Sequence, residues 1–153
     1  MKLAEILTAD RVLNGVSLSS KKKALEELSR MLATGSEDLM AQDVFTSLTG
    51  REKLGSTGLG HGVAIPHGRV DLLDSSLGAF MRLKHPVDYD AHDGNPVDLV
   101  FGLMVPQAAT ETHLKHLAAV AEMFSDEAFC AKLRAAQSSQ ALYQLLCAFT
   151  PSG

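Results

Sequence analysis

Tryptophan is absent from this 153-residue chain, and aromatic residues make up only 5% of it. Bases of single-stranded nucleic acid stack on exposed rings, so a chain this poor in rings is a poor platform for them. A basic surplus is missing too. Fourteen Lys and Arg against eighteen Asp and Glu give a net charge of −4, whereas nucleic-acid binders usually carry a positive excess. Cysteine is scarce: Cys130 and Cys147 form no CxxC pair and sit in apolar, helix-patterned contexts. They read as small buried hydrophobes, not as a disulfide frame or a zinc site. No apolar run approaches the roughly 20 residues needed to span a bilayer. The opening Met1-Lys2-Leu3-Ala4-Glu5 also lacks a signal-peptide core. The expectation is a soluble cytoplasmic protein with no nucleic-acid partner and no membrane insertion.

What is present points to a packed domain. Hydrophobic residues make up 46% and charged residues 21%, enough apolar material for a core and too little charge for disorder. The length suits one domain over residues 1–153, and no repeat, charge block or low-complexity linker divides it.

The pattern along the chain alternates between two periods. Ser19 or Ser20 can cap a helix with Leu25, Leu28, Met31 and Leu32 on one side. A second helix is expected from about Ala41 to Lys53, burying Val44, Phe45 and Leu48. Leu77, Ala79, Met81 and Leu83 then alternate with Gly78, Phe80, Arg82 and Lys84, the period of a strand. After an Asp93-Gly94 turn, the run from Leu99 to Val105 is apolar on both faces, as in an interior strand covered above and below. Pro106 ends it. Helices follow: one capped by Thr110 and carrying Leu114, Leu117, Ala118, Ala121 and Phe124; one capped by Ser125 with Asp126 and Glu127 in its first turn; and one opened by Ser138 or Ser139. The simplest architecture is α/β, a mixed β-sheet flanked by α-helices on both faces.

The chemistry concentrates between Arg51 and Arg69. Gly55, Gly58, Gly60 and Gly62 fall within eight residues, where the backbone can approach a ligand closely. Ser56 and Thr57 add hydroxyls. Val63-Ala64-Ile65 reads as a short strand, Pro66 tends to end regular pairing, and His67 would sit at the end of that strand, followed by Gly68. The loop is neither GxxxxGK[ST] nor a strand-to-helix GxGxxG. A histidine with an ordinary pKa of about 6.5 is mostly neutral near pH 7 and nucleophilic. Attack on phosphorus would give a labile phosphohistidine, a reaction that depends on positioning and charge stabilisation. Backbone N–H groups can cradle the phosphoryl oxygens, and Arg51 can supply charge.

A second pair of histidines lies on the helix after residue 110. At about 100° per residue, a stripe centred near Ala121 and Leu117 puts His113 at its edge, able to lean into a site. The same wheel turns His116 toward solvent. The pair has a plausible metal-ligand spacing, but the wheel separates the two rings and no acidic ligand accompanies them. No metal or cofactor site is expected.

The run Gly55-Ser56-Thr57-Gly58-Leu59-Gly60, followed by Val63-Ala64-Ile65-Pro66-His67-Gly68-Arg69, resembles the active-site signature of the type 2 enzyme IIA domains of the bacterial phosphotransferase system. These are the fructose/mannitol-type domains and their nitrogen-regulatory relative. The preceding Arg51-Glu52-Lys53-Leu54 brings the chain nearest the nitrogen-regulatory branch. Pro96-Val97-Asp98-Leu99-Val100-Phe101 and Thr112-His113-Leu114 extend the resemblance along most of the chain. His61 departs from it, standing where nitrogen-regulatory members carry Asn or another polar residue, and reads as a surface loop residue.

The resemblance implies the mixed sheet with flanking helices. It implies that His67 is phosphorylated, through Nε2, with His113 and Arg51 as its catalytic companions. Ser56, Thr57 and Gly68 would line the phosphoryl group. The donor would be an HPr-like histidine phosphocarrier, charged from phosphoenolpyruvate through an enzyme I protein. In the nitrogen branch the phosphorylation state selects regulatory targets, among them sensor kinases and potassium-transport proteins. The alternative is the IIA component of a fructose- or mannitol-type sugar uptake system. The rim formed by residues 54–69 and 107–116 is then expected to meet a protein, with Leu54 and Leu59 at its apolar centre.

Overall fold

A computed structural model describes residues 3–108 and 111–150, with only the backbone for Thr112. Two short turns of 3-10 helix, Leu3–Glu5 and Ala9–Arg11, precede β1 (Val12–Val16), α1 (Lys21–Ala33) and α2 (Ala41–Glu52). Then come β2 (Gly58–Gly60), β3 (Val63–Ala64), β4 (His67–Val70), β5 (Leu77–Val87) and β6 (Val97–Pro106). The chain closes with α3 (Glu111–Phe124), α4 (Glu127–Ala135) and α5 (Ser139–Ala148).

The strands form one mixed sheet in the order β1-β5-β6-β3-β2, with β4 also paired to β6. β5 and β6 run antiparallel, while β1 on β5 and both β3 and β4 on β6 run parallel. Strand β6 is central because its side chains are apolar on both faces. Val100 and Met104 join the core under α1 and α2; Leu99, Phe101, Leu103 and Val105 join the core under α3, α4 and α5. Each such side chain contributes about 1.5–3 kcal/mol on burial. On the second face Phe80, Phe101 and Phe124 meet with ring centroids 6.4, 5.8 and 5.9 Å apart. The expected α/β sheet with helices on both faces is the observed architecture.

The local signals are borne out with one shift. Ser20 accepts from the N–H of Lys23, and Ser138 from that of Ala141. Ser125, expected to cap α4, does not; Asp126 does, accepting from the N–H of Phe129. Ser125 instead donates to the carbonyl of Glu122 and so finishes α3. Thr110, the expected cap of α3, lies outside the described residues. Among the described residues no helix is long and apolar enough to cross a membrane.

Candidate active site at the β4 edge

The expected short strand before Pro66 is observed as β3, with one difference: pairing with β6 resumes in the same register after the proline, so His67 opens β4 instead of ending the first strand. The chain from Val63 to Val70 runs alongside β6 in one unbroken register: Val63 opposite Leu99, Ala64 opposite Val100, His67 opposite Leu103, Val70 opposite Pro106. Pro66 lacks an N–H and loses one rung, yet its carbonyl accepts from the N–H of Leu103 at 3.0 Å. The ladder therefore continues through the proline, and His67 opens β4.

This segment has an outer edge that β2 covers only as far as Val63 and Ala64. Beyond that point the edge groups find other partners, as buried or half-buried backbone must. The N–H of Ile65 donates to the carbonyl of Thr57 at 3.0 Å. The carbonyl of Ile65 accepts from Nδ1 of His67 at 3.0 Å. At Arg69 the hydroxyl of Ser47 on α2 serves both groups, accepting from the N–H at 2.9 Å and donating to the carbonyl at 2.8 Å. Helix α2 comes this close because residue 68 is glycine: a Cβ there would stand 2.3 Å from the Ser47 oxygen. Ser47 was not singled out from the sequence. Its readable signal is a small hydroxyl residue on the helix that must pack against a glycine.

The contact to Ile65 fixes the tautomer of His67. A carbonyl can only accept, so Nδ1 carries the proton and Nε2 keeps the lone pair. Burial lowers the His67 pKa from the ordinary histidine value; the hydrogen bond to Ile65 opposes that shift, and the charge of Arg51 adds to it. The ring is held neutral at pH 7.

His67 lines a cavity of about 420 Å³. Arg51 reaches it from the last turn of α2, Gly68 and Arg69 from β4, and His113 from the first turn of α3. The guanidinium of Arg51 donates through Nη1 to the carbonyl of Gly55 at 2.8 Å. Three of the expected residues, His67, Arg51 and His113, thus share one opening, together with Gly68. Its apolar rim includes Leu54, 84% exposed, and Leu114, 48% exposed.

Ser56 and Thr57 are not part of this lining. The hydroxyl of Ser56 donates to the carbonyl of Tyr89 and accepts from the N–H of Gly58. Thr57 is buried, and its hydroxyl donates to the carboxylate of Glu52. The hydroxyls of the glycine-rich loop are thus taken up by Tyr89 and by Glu52 of α2. The loop's glycines also make the turn between β2 and β3: Gly60 and Gly62 take φ of +96° and +81°, with His61 between them at +56°. His61 is exposed, as expected, and its backbone is tied down by Asp93 and Arg134.

His116 is the other correction. Expected in solvent, it is half-buried, with Nδ1 2.9 Å from the hydroxyl of buried Ser76. The buried residues of α3 include Val120 and Phe124, whereas Ala121 is only partly buried. The stripe therefore centres on Val120, and four residues back along the helix that face carries His116. His113, seven residues before Val120, lies on the same line. The two rings meet edge-on with centroids 6.1 Å apart. Among the described residues no three His, Cys, Asp or Glu side chains converge to hold a metal.

Comparison with known proteins agrees with this geometry. Residues 5–148 match the family model of the phosphoenolpyruvate-dependent sugar phosphotransferase system, EIIA 2. A nitrogen regulatory protein of Pseudomonas aeruginosa is 45% identical over 146 residues, 95% of each chain. The crystal structure of the nitrogen regulatory protein IIA-Ntr from Neisseria meningitidis superposes with a TM-score of 0.88 at 42% identity, covering 94% of this chain and 98% of that one. The mannitol IIA of Escherichia coli shares the fold, with a TM-score of 0.75 at 24% identity over 92% of this chain and 98% of that one. A signature read around one histidine, a mixed sheet that presents this histidine beside Arg51 and His113, and a family match over nearly the whole chain lead to one assignment: the chain belongs to the EIIA type 2 family of the phosphotransferase system, on its nitrogen-regulatory branch.

Proposed function

We propose that this protein is a phosphohistidine carrier of a nitrogen-branch phosphotransferase system. It accepts a phosphoryl group on His67 from an HPr-like phosphocarrier in the cytoplasm and engages regulatory targets, such as sensor kinases or potassium-transport proteins, according to its phosphorylation state. The observation that carries the reading is the tautomer of His67. With Nδ1–H committed to the carbonyl of Ile65, Nε2 is the nitrogen with a lone pair for the cavity that Arg51 and His113 share.

In the transfer, the Nε2 lone pair of His67 forms the new P–N bond. The P–N bond of the donor phosphohistidine breaks, and the donor imidazole leaves with its electron pair. His67 keeps its Nδ1 proton, and the hydrogen bond to Ile65 strengthens as the ring gains positive character. Arg51 supplies charge to the phosphoryl oxygens, and His113 adds a hydrogen bond or, protonated, a charge. Backbone at Gly68 lies alongside. Such transfer needs alignment more than acid–base chemistry, and a protein donor, not a small substrate, fits an open mouth rimmed by Leu54 and Leu114.

The test combines phosphoenolpyruvate with enzyme I and the phosphocarrier of the same host. An acid-labile, base-stable phosphoryl label on the wild type and none on His67→Ala is the expected result. A label that survives His67→Ala overturns the reading. Onward transfer to a sugar, when fructose- or mannitol-type IIB and IIC proteins are added, would assign the chain to sugar uptake instead.

A further inference from the structure

The residue after Arg51 is the most heavily partnered carboxylate among the described residues. The side chain of Glu52 is 6% exposed and pairs with Nζ of Lys21 at 2.9 Å. It accepts from the hydroxyl of Tyr89 at 3.0 Å and from the N–H of Thr57 at 3.2 Å. The hydroxyl of Thr57 donates to it as well. Tyr89 is completely buried, and the ammonium of Lys21 lies 4.5 Å from the centre of its ring.

Both members of the ion pair stand at the wrong end of their helix. Lys21 is the first residue of α1 and Glu52 the last of α2, so each charge opposes its own helix dipole. A carboxylate 6% exposed is tolerated only when paired and hydrogen-bonded, and Glu52 is both. What the pair holds is the loop between α2 and β2. Arg51 and Glu52, adjacent on the last turn of α2, grip that loop at two points: Arg51 at the carbonyl of Gly55, and Glu52 at the backbone of Thr57. Between these grips Gly55 is exposed and takes a φ of +148°, and the next residue, Ser56, ties the loop to the carbonyl of Tyr89.

We infer that Glu52, with Lys21 and Tyr89 behind it, is a positioning residue for Arg51: it fixes the loop whose Gly55 carbonyl holds the guanidinium at the mouth of the His67 cavity. This rests on the phosphoryl relay for its functional consequence, but not for its structural one.

The experiment compares Glu52→Gln, Tyr89→Phe and Arg51→Ala, singly and combined. Two quantities are read: the rate of phosphoryl acceptance from the phosphocarrier, and the solvent exchange of the Arg51 guanidinium protons in unphosphorylated protein by NMR. Glu52→Gln is expected to slow acceptance about tenfold, the equivalent of about 1.4 kcal/mol in the barrier, and to speed guanidinium exchange. In the Arg51→Ala background the same change is expected to cost nothing further, because the two residues act through one group. Rates that multiply, or guanidinium exchange equal to the wild type, overturn the inference. Should Glu52→Gln not fold, Tyr89→Phe removes one donor from the same carboxylate without emptying the core and is judged by the same two readings. A wild type that takes no phosphoryl group on His67 would defeat the relay; the exchange measurement would still decide the role of Glu52.

Discussion

Two edge strands of the sheet, β1 and β4, solve one problem in different ways. At β1 the part-buried N–H of Asn14 donates to the hydroxyl of Ser139 on α5 at 3.0 Å. At β4 the hydroxyl of Ser47 on α2 serves Arg69 in the same manner. One step along, however, the edge is finished by the side chain of His67 itself, and a cavity of about 420 Å³ remains beside it. The site is thus an edge left unfinished by backbone. A serine hydroxyl satisfies the backbone of one edge residue. A histidine that seals with one ring nitrogen leaves the other available for chemistry.

The strongest way to break this comparison is to remove the ring. His67→Ala is expected to abolish phosphoryl acceptance outright, while Ser139→Ala leaves acceptance unchanged; intact-mass measurement after incubation with the donor system reads both. His113→Ala is expected to retain slow acceptance and to lose about 10²-fold in transfer rate, the scale of one lost stabilising donor; stopped-flow rates equal to wild type would remove His113 from the site.

Gly68→Ala sharpens the packing half of the comparison. A Cβ lying 2.3 Å from the Ser47 oxygen forces α2 away from β4, at a cost of about 1–3 kcal/mol in stability. Adding Ser47→Ala moves the nearest neighbour out to 3.1 Å, so the double variant is expected to recover part of the loss in urea unfolding. Ser47→Ala and Ser139→Ala each remove an edge hydroxyl and are expected to cost about 1 kcal/mol apiece. Of the two, only Ser47→Ala should perturb the ring resonances of His67.

The smallest effect is in pH. Burial holds both His67 and His116 below the ordinary histidine value of 6.5. The unfolded chain therefore binds protons that the native state refuses, so stability is full above pH 6.5 and is lost as pH falls through the folded values. Urea midpoints between pH 7.5 and 5 should slope downward toward acid. The slope should lessen when His67 and His116 are both replaced by Gln. Phosphoryl acceptance should hold its rate to a pH below 6.5, because His67 stays neutral there.

Much of this was legible in the residues. Caps at Ser20 and Ser138, the doubly apolar β6 and the alternating start of β5 follow from local patterns, and the signature around His67 carried the family. What was not legible depended on tertiary partners. That pairing would resume at His67 depended on β6, whose register runs on past Pro66. His116 looked exposed because a wheel drawn from apolar side chains alone was centred on Ala121, and the loop bearing Ser76 lies far off in sequence. Ser56 and Thr57 read as ligand donors because hydroxyls beside glycines commonly are; here Tyr89 and Glu52 take them. Glu52 itself carried a readable signal, an acid at a helix C-terminus with a lysine at the N-terminus of the helix before it.

In the proposed relay, the chain occupies Nδ1 of His67 and leaves Nε2 to take the phosphoryl group. Nitrogen-15 and phosphorus-31 NMR of protein labelled at histidine, recorded before and after charging by the phosphocarrier, test it directly. The account predicts a protonated Nδ1 and a lone-pair Nε2 on His67 beforehand, then a phosphorus coupling to Nε2 alone. Coupling to Nδ1, or to the ring of His113, would contradict it.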